Sequence, residues 1–164
     1  MEKQTQLHTI APVYGKDSRI LILGSFPSVK SREAAFFYGH PQNRFWRVLA
    51  AVLEEEAPQT VEEKRSMLLR RGVALWDVIA SCEIAGSSDA SITNVVPNDL
   101  SRILTTAPVR RIFCNGGTAH RFYRRYDEAR FGPAQLLPST SPANARRPAD
   151  ELAAVWRAAL APWL

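Results

Sequence analysis

The chain has 164 residues, 46% apolar and 23% charged, enough to bury one core and too mixed for a disordered or fibrous protein. No run of about 18 apolar residues occurs, and no apolar stretch follows the first charges, so neither a membrane helix nor a secretory signal is expected. The formal net charge of +5, carried mostly by arginine, suits a phosphate-bearing partner without requiring one.

Residues 1–18 read as a loose terminal segment of a single domain spanning 1–164. Arg19 to Phe26, RILILGSF, reads as a buried strand that enters a loop at Gly24, Ser25 and Pro27. Asn43 to Glu56 places Phe45, Val48, Leu49, Val52 and Leu53 at amphipathic helix spacing. Glu62 to Arg71 is a second helix, closed by Gly72. Val73 to Ile79 reads as one strand and Leu100 to Thr106 as a short helix capped by Asn98 or Asp99. Arg110 to Asn115 is a third strand, followed by Gly116, Gly117 and a helix from Thr118 to Tyr126. Ala134 to Leu137 is a fourth strand, and Asp150 to Leu160 a terminal helix. Alternating strands and helices predict an α/β fold, a three-layer α/β/α sandwich around a central, mostly parallel four-stranded sheet. Cys82 and Cys114 lack metal-ligand spacing and read as buried thiols in a reducing, cytoplasmic protein.

Each strand ends in small or polar residues: Gly24-Ser25, Asp77 with Ser81 beyond it, Asn115-Gly116-Gly117, and Ser139-Thr140-Ser141. Ligands of open α/β sheets bind outside the carboxyl ends of the strands, so these clusters are expected to converge on one pocket. Three segments carry its chemistry. In Gly24 to Trp46, Ser25 and Ser28 offer donors to a phosphate, and Phe36, Phe37 and Tyr38 cannot all share one face. Either all three are core, or at least one lines the pocket as a flat wall on which a base can stack. His40 and Asn43 follow at a helix start, where each has a plain structural reading beside a functional one. In Leu136 to Arg147, Ser139, Thr140, Ser141, Asn144, Arg146 and Arg147 have the composition of a backbone-gripping loop, or of an exposed Pro/Ser loop. In Ile112 to His120, Asn115 ends an apolar strand, where it either caps the turn or reads a ligand. The glycines are neither GxGxxG nor a P-loop, so no nucleotide cofactor is implied; no metal is implied either.

ILILGSFPS followed by FFYGHPQNRFW resembles the first motif region of the uracil-DNA glycosylase superfamily, in particular its hypoxanthine (deoxyinosine) branch and the related mismatch-specific uracil/thymine enzymes. GVALWDVI is similar to that superfamily's second strand, and LLPSTSPANA to its DNA-gripping motif. The resemblance implies that Tyr38 stacks on a flipped base, that Gly24 to Ser28 lie beside the scissile sugar, and that Ser139, Thr140 and Ser141 grip the DNA. The superfamily's usual first-loop Asp or Asn is replaced here by Phe26, which the resemblance places in the base pocket. It implies that Asn43 takes over catalysis, with Asn115 as a second pocket amide and His40 beside the base. No lysine stands out as a Schiff-base nucleophile, so a monofunctional enzyme leaving an abasic site is expected. The expected partner is double-stranded DNA carrying a deaminated or mismatched base, bound by a monomer without cofactor. A uracil or G:U/T mismatch glycosylase, a non-catalytic damaged-DNA-binding module on the same fold, and a nucleoside hydrolase remain the other readings.

Overall fold

The protein is described from a computed structural model covering residues 2–144 and 146–164. Its centre is a parallel sheet of four strands, β2 (Ile20–Gly24), β3 (Val73–Asp77), β6 (Arg111–Asn115) and β7 (Gln135–Leu137), in the order β3-β2-β6-β7. β2 and β3 are buried at every position, which is why both read as near-continuous apolar runs. The helices α2 (Phe45–Leu53), α3 (Val61–Arg71), α5 (Gly117–Tyr126) and α7 (Ala149–Leu160) flank this sheet, giving the α/β architecture expected from the alternating pattern. Shorter helices are α1 (Val29–Ala34), α4 (Ser101–Leu104) and α6 (Glu128–Phe131).

A second sheet was not foreseen. β1 (Gln4–Leu7), β4 (Ile79–Ile84) and β5 (Thr93–Pro97) form an antiparallel sheet in the order β1-β4-β5. The expected single strand over 73–79 therefore breaks at Val78, where the chain leaves the parallel sheet for the antiparallel one. The pairing also corrects the loose N-terminal segment. Gln4–Leu7 pairs with Ser81–Ile84, Val13 bridges to Leu75, and Ile10 and Val13 are buried. β1 is mostly exposed and polar, so backbone pairing rather than an apolar stripe places it.

Two helices set the site. α2 buries Phe45, Trp46, Val48, Leu49, Val52 and Leu53, and it packs against α7, which buries Leu152, Trp156 and Leu160. The Trp156 indole meets Phe45 edge-on at 5.9 Å, and its N–H donates to the Pro138 carbonyl at 2.9 Å. One buried tryptophan thus ties the start of α2 to the loop after β7. Cys82 and Cys114 are free and buried, as read from the sequence.

Asp127, between α5 and α6, is 4% exposed, and one of its carboxyl oxygens has no partner. Burial pushes its pKa up to about 7, against the pull of Arg130. A carboxyl raised in the folded state stabilises fully below its ordinary value of 3.8, and that contribution is lost as pH rises through 7. Asp127→Asn is accordingly expected to melt above the wild type at pH 8, with the advantage shrinking on acidification and gone below 3.8. Melting curves of both proteins across that range check this, and a difference constant with pH contradicts it.

Candidate active site

All four strands of the parallel sheet point the same way, so Gly24, Asp77, Asn115 and Leu137 end at one edge, with Gly24 opposite Asp77 and Asn115 opposite Leu137. A cavity of about 320 Å³ opens there. It takes residues from each expected cluster: Gly24 to Ser28, Tyr38, His40, Asn43, Asp77, Asn115 and Ser139 to Ser141. Ser81, Gly116 and Gly117 do not line it. Ser81 sits instead within the antiparallel sheet, opposite Leu7 and Val96.

The three aromatics separate as a loop allows. Phe36 and Phe37 are 3% and 1% exposed and belong to the core, and Phe37 also backs the cavity. Tyr38 has a positive φ of 53°, a strained backbone for a bulky residue. One face of its ring stacks on Phe45, with centroids 4.1 Å apart and planes at 22°. The ring lines the cavity while its hydroxyl is buried without a partner. Burial, and next the Asp77 carboxylate, push the phenol pKa above its usual range, so it stays neutral. Phe26 is buried at 8% exposure on the cavity wall, with the Arg32 guanidinium 5.5 Å from its ring centre.

The structural reading of Asn43 holds and leaves room for the functional one. Its side-chain carbonyl accepts from the Phe45 N–H at 2.9 Å and closes the turn that starts α2. Its amide nitrogen makes no hydrogen bond among the described residues, and the side chain lines the cavity. His40 Nδ1 accepts from the Gln42 N–H at 3.1 Å, which leaves its other nitrogen for the cavity. Asn115 lines the cavity and also holds structure: its amide donates to the Thr140 hydroxyl at 2.9 Å while its carbonyl accepts the Thr140 N–H at 3.1 Å. This reciprocal pair sews the end of β6 to the loop after β7.

Thr140, expected among the DNA-touching residues, lines the cavity from a buried position. It is 0% exposed, and its hydroxyl faces Asn115 rather than solvent. Ser139 and Ser141 stay partly exposed at the rim, their hydroxyls accepting from the N–H groups of Ser141 and Ala143. Asn144 donates back to the Ser139 carbonyl at 2.8 Å, and Arg146 is exposed in the following turn; neither lines the cavity. Arg44, which the sequence reading passed over, braces this loop from the carbonyls of Asn144 and Arg147. Gly116 adopts a φ of +95°, and a Cβ there would stand 3.1 Å from Ser139 Cβ, so the loop packs directly on the glycine turn. Ser28 caps α1 through the Ser31 N–H and lines the cavity together with Ser25.

Two further groups come from segments the sequence left silent, one lining the cavity and one behind its wall. Asp89, in the 3-10 turn Asp89–Ser91, accepts a 3.4 Å hydrogen bond from the Ser25 hydroxyl. The residue is exposed overall, but surrounding atoms shield its carboxyl and raise its pKa, and the Asp77 charge adds to the shift. His8, on the N-terminal segment, places Nε2 at 2.8 Å from Asp77 Oδ2. A Ser-Ser-Asp turn and a lone histidine are generic in sequence, so nothing in the local pattern points to either. Among the described residues no group of three His, Cys, Asp or Glu could hold a metal, and no helix is long and apolar enough to cross a membrane.

Fold and site together define an α/β domain whose strand-end cavity has an aromatic wall, polar rims and two carboxylates. The chain belongs to the uracil DNA glycosylase superfamily, whose family model matches residues 11–160. It is a DNA glycosylase by that membership and by its relatives. It is 33% identical over 135 residues to the hypoxanthine DNA glycosylase of Methanosarcina acetivorans, covering 82% of this chain and 85% of that protein. It is 32% identical over 136 residues to the protein of the same name from Methanosarcina barkeri, covering 82% and 86%. A solution NMR structure from Methanosarcina acetivorans, provisionally described as a uracil DNA glycosylase, superposes with a TM-score of 0.77 at 32% identity, covering 96% of this chain and 98% of that one.

Proposed function

We propose that this chain is a monofunctional glycosylase of base excision repair that removes hypoxanthine from double-stranded DNA. One observation carries the choice of base: the first loop, Gly24 to Ser28, brings Phe26 to the cavity and no acid or amide, while Asn43 presents an unpaired amide nitrogen there. The names of the two Methanosarcina relatives agree with it. The flipped base enters the cavity against Tyr38, where stacking offsets part of what it lost in the duplex. As the glycosidic bond breaks, its electron pair stays with the base and the sugar becomes cationic. Asn43 cannot take up a proton, but its amide N–H donates to the departing base and stabilises that charge. Asp89, at the mouth beside Ser25, is the carboxylate placed to stabilise the sugar cation and to accept the proton of the attacking water; its raised pKa makes it the better acceptor.

Ser25, Ser28, Ser139, Ser141 and Arg146 contact the DNA backbone around the cavity, and Thr140 and Asn144 hold that rim in shape. The enzyme works in the cytoplasm as a monomeric single domain over 1–164, with neither metal nor cofactor. Purified protein is expected to release hypoxanthine from inosine-containing duplexes faster than it releases uracil, xanthine or mispaired thymine from matched ones. Release of uracil with none of hypoxanthine would move the chain to the uracil reading.

A further inference from the structure

Arg32 stands in the last turn of α1, the short helix after the first loop, and its side chain turns back toward that loop. Nη1 donates to the Pro27 carbonyl at 3.0 Å and Nη2 to the Gly86 carbonyl at 3.2 Å. The guanidinium carbon lies 5.5 Å from the centre of the Phe26 ring. Arg32 is partly buried, which works against its charge, and it forms no ion pair among the described residues. Its donors go instead to two neutral carbonyls on two different loops. A planar fork spans both at once, which a single ammonium does not. The second of these loops, residues 85–91, carries Asp89 to the cavity. Its own hydrogen bonds close it on itself: the Ser88 N–H reaches the Ala85 carbonyl at 3.1 Å, the Ser91 N–H the Ser88 carbonyl at 3.0 Å, and the Ala85 N–H the Ser91 hydroxyl at 2.8 Å. Among the described residues no backbone–backbone hydrogen bond ties this loop to the first one. The ties are made by side chains: Arg32 to the Gly86 carbonyl, the Val29 N–H to the Ser87 hydroxyl at 2.9 Å, and the Ser25 hydroxyl to Asp89 at 3.4 Å. The last is long for a hydroxyl donor and holds the loop weakly. From the other side Asp89 faces the Thr118 hydroxyl and the Arg121 charge.

We infer that Arg32 is a positioning residue for hydrolysis: by clamping residues 85–91 onto the first loop, it holds Asp89 beside Ser25 at the cavity mouth. This inference rests on the glycosylase reading and on the role given there to Asp89, and deepens it. Arg32 does not line the cavity and touches neither base nor sugar. Its effect passes through the place of the loop. A carboxylate that stabilises a sugar cation and takes a proton from water must stand within hydrogen-bond reach of the reacting atoms, and a displacement of about 1 Å costs on the order of a hundredfold in rate. Phe26 backs the guanidinium and keeps the fork from turning to solvent. The first loop, which supplies no acid or amide of its own, thereby recruits a carboxylate from the turn between β4 and β5.

The test is single-turnover release of hypoxanthine from an inosine-containing duplex by the full-length protein, by Arg32→Ala, Arg32→Lys and Asp89→Asn, and by Arg32→Ala combined with Asp89→Asn. Asp89→Asn is expected to slow release about a hundredfold or more, the scale of a lost general base. Arg32→Ala is expected to slow it about tenfold or more, and Arg32→Lys, which serves one carbonyl at a time, to recover little of that. In the Asp89→Asn background, Arg32→Ala is expected to cost nothing further, because a carboxylate that is gone has no position to lose. A merely structural role costs the same factor in both backgrounds. The pH profile gives a second readout. Wild-type release should rise with pH as Asp89 ionises, and freeing the loop lets water onto a carboxyl whose pKa burial now raises, so Arg32→Ala should move that limb to lower pH. The other charges that act on Asp89, Asp77 and Arg121, are the same in both proteins. Wild-type rates in Arg32→Ala or Arg32→Lys, or equal losses in the two backgrounds, overturn the inference and leave the glycosylase reading intact. If Arg32→Ala does not fold, Arg32→Lys with and without Asp89→Asn decides by the same comparison. Asp89→Asn at the wild-type rate overturns the role of Asp89 and the inference with it, whereas a wild type that releases no base strikes the glycosylase reading beneath both.

Discussion

Asn43→Ala is expected to slow single-turnover release of hypoxanthine by about a hundredfold or more, the scale seen when one preorganised donor is removed from a site of developing charge. DNA affinity should change little, because the residue lies inside the cavity and not along its rim. The variant also loses the turn closed by the Asn43 carbonyl on the Phe45 N–H, a hydrogen bond worth ~1 kcal/mol, so a modest fall in melting temperature is expected with it. Asn43→Asp separates the two roles. The carboxylate keeps the turn and restores stability, but it cannot donate to the leaving base, so release should stay slow. Near-wild-type rates in both variants would remove Asn43 from the mechanism.

The second large effect is expected at Gly24, the last residue of β2. A Cβ there would lie 2.3 Å from Asp77 Oδ1 and 2.9 Å from the Tyr38 hydroxyl. Neither group can give way cheaply. Asp77 is held by His8, and Tyr38 is fixed by its stack on Phe45 and its left-handed backbone. Overpacking of this kind costs about 1–3 kcal/mol. Gly24→Ala should therefore lower the melting temperature by several degrees and, by displacing both groups at the cavity floor, abolish measurable base release. A stable variant with an unaltered release rate would show that the floor is softer than the packing around it indicates.

The parallel sheet was legible because β2, β3 and β6 are short apolar runs closed by polar residues, and parallel strands force those closings to one edge. That logic brings most of the cavity-lining residues to one edge from the sequence alone. The antiparallel sheet was not legible. β1 and β5 are exposed strands without a clean alternation of apolar and polar residues, and Asn94 in β5 takes a positive φ of 52°. Their pairing is decided by backbone partners far away in the chain, which no local pattern records. His8 and Asp89 are carried on or beside that sheet, so they stayed hidden with it. The burial of Thr140 was hidden for a different reason. Three hydroxyls in a row look alike in sequence, and only the reach of Asn115 decides which one turns inward. At Asn43 the structural reading leaves room for the functional one: its oxygen closes the turn, and its nitrogen makes no hydrogen bond among the described residues.

The central claim is hydrolysis of the glycosidic bond with nothing else done to the strand. It is tested most directly by incubating the purified protein in excess over an inosine-containing duplex and following both products. The account predicts free hypoxanthine by mass spectrometry, in step with a strand that stays whole until alkali cleaves it at the abasic site. Tight binding of the duplex with no free base, or a strand broken before alkali is added, would contradict it.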